Sequence, residues 1–246
     1  MKKYAKEFRM STAPQRSPQW YKERAGIPSA SGLGALFDTL RDGRTPSAKS
    51  KAYRKQLAFE RKFGVTYDRF KNQAMRDGIT YEDFAKLVYE RETGNKITEA
   101  FSYISGWFVA TPDAHVQEVE LINGVEILGK KGLLECKIVG DETFMQMMEE
   151  GAPLDHDLQT QGQLMASGLD WVDYIVVNLK TKHYFILHIT RKNKLIKRIY
   201  ERLHEPLDLP ELRDIGVKQF DDRLLHEYMG GSSVIDSPEP IKDLGF

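Results

Sequence analysis

One cysteine, Cys136, stands in the whole chain. That scarcity excludes an intrachain disulfide framework and any multi-cysteine zinc or iron–sulfur site, and it fits a reducing cytoplasm. Long apolar runs are missing too: none approaches the ~18 residues that a bilayer span needs. The basic start "MKKYAKEFRM" is not followed by the apolar stretch of a secretory signal. The expectation is a cytoplasmic protein with no membrane partner. Internal repeats and low-complexity tracts are also absent. Net charge is lacking as well, with 36 Lys+Arg against 36 Asp+Glu. The cancellation is global only. Residues 1–76 hold 18 Lys+Arg against 6 Asp+Glu, a net of +12, and residues 77–158 hold 6 against 17, a net of −11. A basic third beside an acidic middle can bind phosphates with one region and cations with the other; the plainer alternative is two solvated helix surfaces.

What is present reads as a mixed α/β chain with enough apolar residues for one large core. Residues 1–18 look irregular. "SASGLGALFDTL" (29–40) suits a helix with a Ser N-cap and a stripe of Leu33, Leu36, Phe37 and Leu40. Basic helices are expected over 50–63 and 67–76. "TYEDFAKLVYERETG" reads as the strongest helix, capped by Thr80, striped by Phe84, Leu87 and Val88, and stopped by Gly94. The period then changes to that of strands over 96–139, two helices follow over 141–168, and strands return at 171–179 and 183–190. Helices are expected at about 194–205 and 209–229.

"GLLECKIV" (132–139) poses the chemical question. Strand alternation puts Leu134, Cys136 and Ile138 on one face, and Leu133, Glu135, Lys137 and Val139 on the other. A carboxylate and an ammonium on a buried strand need partners or a cavity. An isolated E-x-K is ordinarily an exposed edge or an internal ion pair, but other acids accompany this one. Asp113, after Pro112, falls at a strand end, and Glu82 falls in the first turn of the strong helix. Such a set suits Mg²⁺, a hard ion that takes oxygen ligands and is typically held by one or two carboxylates, water and substrate phosphate. Asp113 and Glu135 could hold one ion, with the main-chain carbonyl of Cys136 as a third ligand. Glu82 could share or orient a second. Lys137 would orient or help deprotonate water and neutralise developing charge on phosphorus. Among the histidines, His115, His183 and His188 show no converging zinc set.

Pro112-Asp113 together with Glu135-Cys136-Lys137 forms the D-(x)n-E-x-K signature of PD-(D/E)xK nucleases. Around it, "WYKERAGIPSAS" supplies Trp20, Arg24, Gly26, Ala30 and Ser31 in a W-x3-R-x-G-x3-A-S element. Gly78 and Glu82 give G-x3-E, and Gln161 and Gln163 give Q-x-Q. In order and approximate spacing, from about residue 17 to 179, the chain resembles the phage lambda exonuclease (YqaJ-type viral recombinase) family. The resemblance implies a restriction-endonuclease-like core, a central mixed sheet flanked by helices. It implies one nuclease domain over 1–229, with a basic helical N-terminal segment over residues 1–76, a catalytic core of about 77–190 and C-terminal helices of about 191–229, and then a flexible tail over 230–246. Glu82, Asp113, Glu135, Lys137 and Gln161 become the catalytic residues. Arg24 and Ser31 become the grip on the 5′-phosphate of a DNA end. Arg76 and Gln163 are candidate DNA contacts, and the basic segment 41–76 reads as backbone contact for duplex DNA. Trp20 reads as core packing.

Two departures accompany the resemblance. The Asp113–Glu135 interval is lengthened by a hairpin carrying Glu118, Glu120 and Glu126 as alternative carboxylates, and Leu158 stands where the family usually has an aromatic residue before its first helix glutamine. The implied activity is a Mg²⁺-dependent exonuclease, with Mn²⁺ able to substitute and two ions per site, degrading one strand of linear duplex DNA 5′→3′ for recombination. The implied partners are double-stranded DNA ends, a single-strand annealing protein and further copies of the chain in a trimer, in the host cytoplasm if the gene is phage-borne. The alternatives are a related endonuclease or single-strand nuclease, and a non-catalytic DNA-end-binding accessory protein.

Overall fold

The computed structural model describes residues 3–66, 73–212 and 223. The chain divides into two units, Met1–Glu211 and Leu212–Phe246. Nearly all of the second lies outside the described residues, and with it most of the helix expected over 209–229 and the tail 230–246. In the first unit, β1 (Arg9–Met10), α1 (Pro18–Arg24), α2 (Leu33–Leu36), α3 (Ala48–Phe63) and α4 (Gln73–Thr93) precede the strands β2 (Lys96–Glu99), β3 (Tyr103–Ile104), β4 (Val109–Ala110), β5 (Ala114–Ile122) and β6 (Val125–Ile138). Then come α5 (Asp141–Glu150), α6 (Leu154–Ser167), β7 (Trp171–Asn178), β8 (His183–Thr190) and α7 (Asn193–His204).

The main sheet has the order β2-β5-β6-β7-β8; β6 and β7 run parallel and the other pairs antiparallel. A parallel pair needs a crossover, which α5 and α6 supply. This is the mixed sheet flanked by helices that the sequence implies. β6 alternates as its residue types demand. Leu133 enters a core built from α2, α3, α6 and α7, with Leu33, Leu36, Leu57, Leu164 and Ile199. Leu134 enters a second core beneath α4, with Ala85 and Tyr89, and Cys136 and Ile138 pack against it. Both leucines are fully buried, each contributing roughly 1.5–3 kcal/mol of apolar transfer. Glu135 and Lys137 therefore face α6.

Three local expectations are corrected. The helix expected over 29–40 is only a 3-10 turn (Ala30–Gly32) followed by α2. The chain turns back at Asp38, whose carbonyl accepts from the Ser47 amide and whose carboxylate accepts from the Ser47 hydroxyl. Leu40 is exposed. The strong helix starts at Gln73, so Thr80 lies inside it and its hydroxyl donates to the Arg76 carbonyl instead of capping. Gly78 does not break the helix, since glycine costs only about 1 kcal/mol there. The buried stripe of α4 is Ala85 and Tyr89, while Phe84 and Leu87 are exposed. Finally, Tyr103–Ile104 and Val109–Ala110 leave the main sheet to form a small one with β1, so some of the irregular N-terminus is structured. Past their pairing with β2 and β7, β5 and β6 continue as a two-stranded hairpin. There Glu118 accepts from the Lys130 amide and Glu126 pairs with Lys96, so two of the alternative carboxylates are occupied on that hairpin.

Candidate active site

Asp113 precedes β5, one step beyond the Ala114–Leu134 pair, so it lies alongside Glu135. Its amide donates to the Leu134 carbonyl at 3.0 Å, and its Oδ2 accepts from the Cys136 amide at 2.7 Å. The atom of Cys136 tied to Asp113 is thus the amide nitrogen, not the main-chain carbonyl. Glu135 is 3% exposed. Its Oε1 accepts from Lys137 Nζ and from Gln159 Nε2, each at 2.6 Å, and its Oε2 accepts from Gln163 Nε2 at 2.6 Å. The paired charges on one strand face are thereby satisfied, by each other and by two amides from the helix above.

Glu82 projects from the middle of α4, not from its first turn. Its Oε1 accepts from Lys86 Nζ and its Oε2 from Arg16 Nη2, both at 2.7 Å. Lys86 loses solvent, which would lower its pKa, but the bond and charge of Glu82 and the charge of Asp113 outweigh that and raise it. Loss of solvent, then the charges of Glu135 and Glu82, push the Asp113 carboxyl well above the usual carboxylate range. For Lys137 burial alone would lower the pKa, but Glu135 and Asp113 hold it above the ordinary value and the ammonium charged. Burial raises the Cys136 thiol as well, so it stays neutral. Three crowded carboxylates of this kind are the hard oxygen donors that a divalent cation takes. Among the described residues no three His, Cys, Asp or Glu side chains cage an ion unaided.

Gln161 is corrected. Its Nε2 donates to the Thr190 carbonyl at 3.0 Å and its Oε1 accepts from the Lys192 amide at 2.7 Å. It pins the end of β8 to α6 and does not reach the carboxylates. Helix geometry explains why: Gln159 and Gln163, four apart, share the face turned to Glu135, and a residue two away points elsewhere. Gln163 is fully buried and so is no DNA contact. Arg76 is exposed on α4, outside the carboxylate cluster.

The residues expected to hold a 5′-phosphate gather around α3. The Arg24 guanidinium is half-buried, stacks 3.9 Å from the Trp20 ring centroid, and makes no hydrogen bond to the described residues. Burial draws its pKa below the usual arginine value, with Tyr53 and Glu60 opposing that shift. Trp20 itself is half-buried, and its Nε1 donates to Ser102 Oγ at 2.9 Å, so it packs and also shelves Arg24. Ser31 Oγ lies 3.2 Å from Ser29 Oγ, which is 3.4 Å from the Tyr53 hydroxyl. Gly26 fixes the approach. Its amide donates to Glu60 and its carbonyl accepts from Arg61 Nε, each at 2.8 Å. It has φ +72, and a Cβ there would meet Arg61 Cγ at 2.4 Å. Ala30 and Leu33 press on Gly162 of α6, so the segment bearing Ser31 docks on the helix that presents Gln159 and Gln163 to Glu135.

With this site in place, the sequence profile of the YqaJ-like viral recombinase domain matches residues 19–170. The chain belongs to the YqaJ-like viral recombinase family. Its fold is similar to the crystal structure of an alkaline exonuclease from Laribacter hongkongensis, at 25% identity and TM-score 0.62 over 76% of this chain and 89% of that one. The same similarity holds for that enzyme in complex with dAMP. A phage-related exonuclease from Haemophilus somnus shares the fold at TM-score 0.52 and 14% identity, over 72% of this chain and 90% of that one. No curated protein matches. On α6, His156 Nδ1 lies 2.6 Å from the hydroxyl of Tyr174, the strand neighbour of Glu135. Sequence reasoning missed Gln159, Lys86 and Arg16. Helix spacing signals the first two, four residues from Gln163 and Glu82 respectively. Nothing in the linear pattern marks Arg16.

Proposed function

We propose that this chain is a divalent-cation-dependent exonuclease that removes nucleotides from the 5′ strand of linear duplex DNA, leaving 3′ strands for an annealing partner. Membership of the YqaJ-like family and likeness to exonuclease folds make it a DNA exonuclease; the cation, the polarity and the partner are our reading. The observation that carries it is the arrangement of Lys137, Gln159 and Gln163 around Glu135 beside Asp113. Asp113, Glu135 and Glu82 would hold Mg²⁺, with Mn²⁺ as substitute and two ions per site. When bound, the metal supplies the positive charge that favours a hydroxide nucleophile and steadies the leaving oxygen. Gln159 and Gln163 fix both oxygens of Glu135. Lys137 Nζ, kept charged, stabilises the charge that builds on the phosphoryl oxygens. Arg24, on the Trp20 shelf and without a hydrogen-bond partner among the described residues, takes the terminal phosphate, with the Ser31 hydroxyl beside it. The dAMP bound to the Laribacter enzyme is a nucleoside monophosphate, the product class of such a reaction.

The test uses linear duplex DNA labelled separately at its 5′ and 3′ ends, incubated with Mg²⁺, with EDTA, and with Lys137→Ala protein. The expected result is Mg²⁺-dependent release of mononucleotides from 5′ ends, faster with a 5′-phosphate and lost in the variant. Cuts in closed circles would make the protein an endonuclease. Tight binding without cleavage in Mg²⁺ or Mn²⁺ would leave a DNA-end-binding module.

A further inference from the structure

Arg16 adopts φ +66, a left-handed conformation that a residue with a Cβ rarely takes. Its loop is fastened to both carboxylate-bearing elements: Gln15 Nε2 donates to the Pro112 carbonyl at 3.2 Å, next to Asp113, and Arg16 Nη2 donates to Glu82 at 2.7 Å. The strained backbone thus delivers a guanidinium to the mouth of the site. Only Nη2 of its donors is engaged by the described residues, and of the three cations around the cluster it is the most open. The side chain of Arg16 is 45% exposed, against 21% for Lys86 and 25% for Lys137.

We propose that Arg16 is a substrate-phosphate contact: its guanidinium, paired with Glu82, passes to a phosphate of the DNA strand once a divalent cation takes the carboxylates. Three cations already face three carboxylates. Adding a divalent ion leaves an excess of positive charge at Glu82, and the most solvated, least enclosed cation is the one displaced. The incoming anion is a phosphodiester, which a planar guanidinium binds with two donors. This rests on the nuclease reading above.

The test compares wild type with Arg16→Gly and Arg16→Lys for anisotropy binding to 5′-phosphorylated duplex DNA, in EDTA and in Ca²⁺, with the recovered DNA sized to verify that it is uncut. Glycine suits the left-handed backbone, so the thermal midpoint of Arg16→Gly should not fall. The expected result is equal affinity of Arg16→Gly and wild type in EDTA, about tenfold weaker binding of the variant in Ca²⁺, and a salt slope shallower by about one phosphate contact in Ca²⁺ only. Arg16→Lys should recover some of the loss. Equal weakening in both conditions would make Arg16 a loop clamp, and no change in either would make it a bystander; both overturn the proposal. Wild type that cleaves no DNA in Mg²⁺ or Mn²⁺ and gains no affinity from Ca²⁺ would remove the nuclease reading and this proposal with it. Intact wild-type cleavage with an unaltered Arg16→Gly profile removes the proposal alone.

Discussion

At the scale of single residues, the three glutamines of α6 separate chemistry from architecture. Gln159 bonds a carboxylate oxygen of Glu135, and Gln161 bonds two main-chain groups. Gln159→Ala is expected to lower kcat by about a hundredfold, the usual scale for a lost positioning or electrostatic group, with little change in melting temperature. Gln161→Ala should instead lose about 1–3 kcal/mol of stability, from two orphaned main-chain partners, and retain activity per folded molecule. Steady-state kinetics beside thermal melts distinguish the two. His156 makes a pH prediction. Burial, helped by the Lys137 charge, lowers its pKa to about 4 from the ordinary 6.5. Between those values the unfolded chain binds a proton that the folded chain refuses, so stability is complete above pH 6.5 and falls as pH drops towards 4. After allowance for solvent screening the loss is about 1–2 kcal/mol. Urea melts across that range should show it, and His156→Gln should flatten the slope.

At the scale of elements, true and apparent caps give contrasting expectations. Ser47 accepts from the Ser50 amide at 3.2 Å and donates to Asp38 at 2.5 Å, so Ser47→Ala should cost about 1 kcal/mol. Thr80, which resembles a cap in sequence, sits inside α4, and Thr80→Ala should stay within about 0.5 kcal/mol of wild type. Denaturant midpoints measure both. The turn after α1 is less forgiving. Gly26→Ala meets both a left-handed backbone and the flank of α3; it is expected to destabilise by about 2 kcal/mol or more. By moving Arg24 it should also reduce the preference for 5′-phosphorylated ends, read as the ratio of rates on phosphorylated and hydroxyl-ended duplex.

At the scale of the whole molecule, the cancelling net charge conceals a division of labour. The acidic middle contains the carboxylate site, and α3 in the basic third leaves Lys51, Lys55 and Lys62 exposed. Phosphate contacts made by such lysines release counterions, so duplex affinity should fall steeply with salt. Replacing those three lysines by glutamine should reduce the logarithmic salt slope by up to about three contacts and leave melting temperature unchanged. Binding titrations at several ionic strengths read the slope. Among the described residues no helix is long and apolar enough to cross a membrane.

The sequence alone determined the strand alternation of "GLLECKIV", the pairing of Glu135 with Lys137 on one face, the position of Asp113 at a strand end and the family. These follow from short-range periodicity and from a motif whose residues are two apart or share a strand end. Only the tertiary structure decided which glutamine faces Glu135, because a helix face is defined by what packs on it, and three glutamines in alternation fit either register. It also decided where α4 begins, since Thr80 carries a local signal for a helix start that packing overrides. Arg16 joined the site through distance: it is 66 residues from Glu82 along the chain and meets it through one hydrogen bond. That contact arises from a left-handed turn and the docking of a loop, neither of which leaves a linear pattern to read.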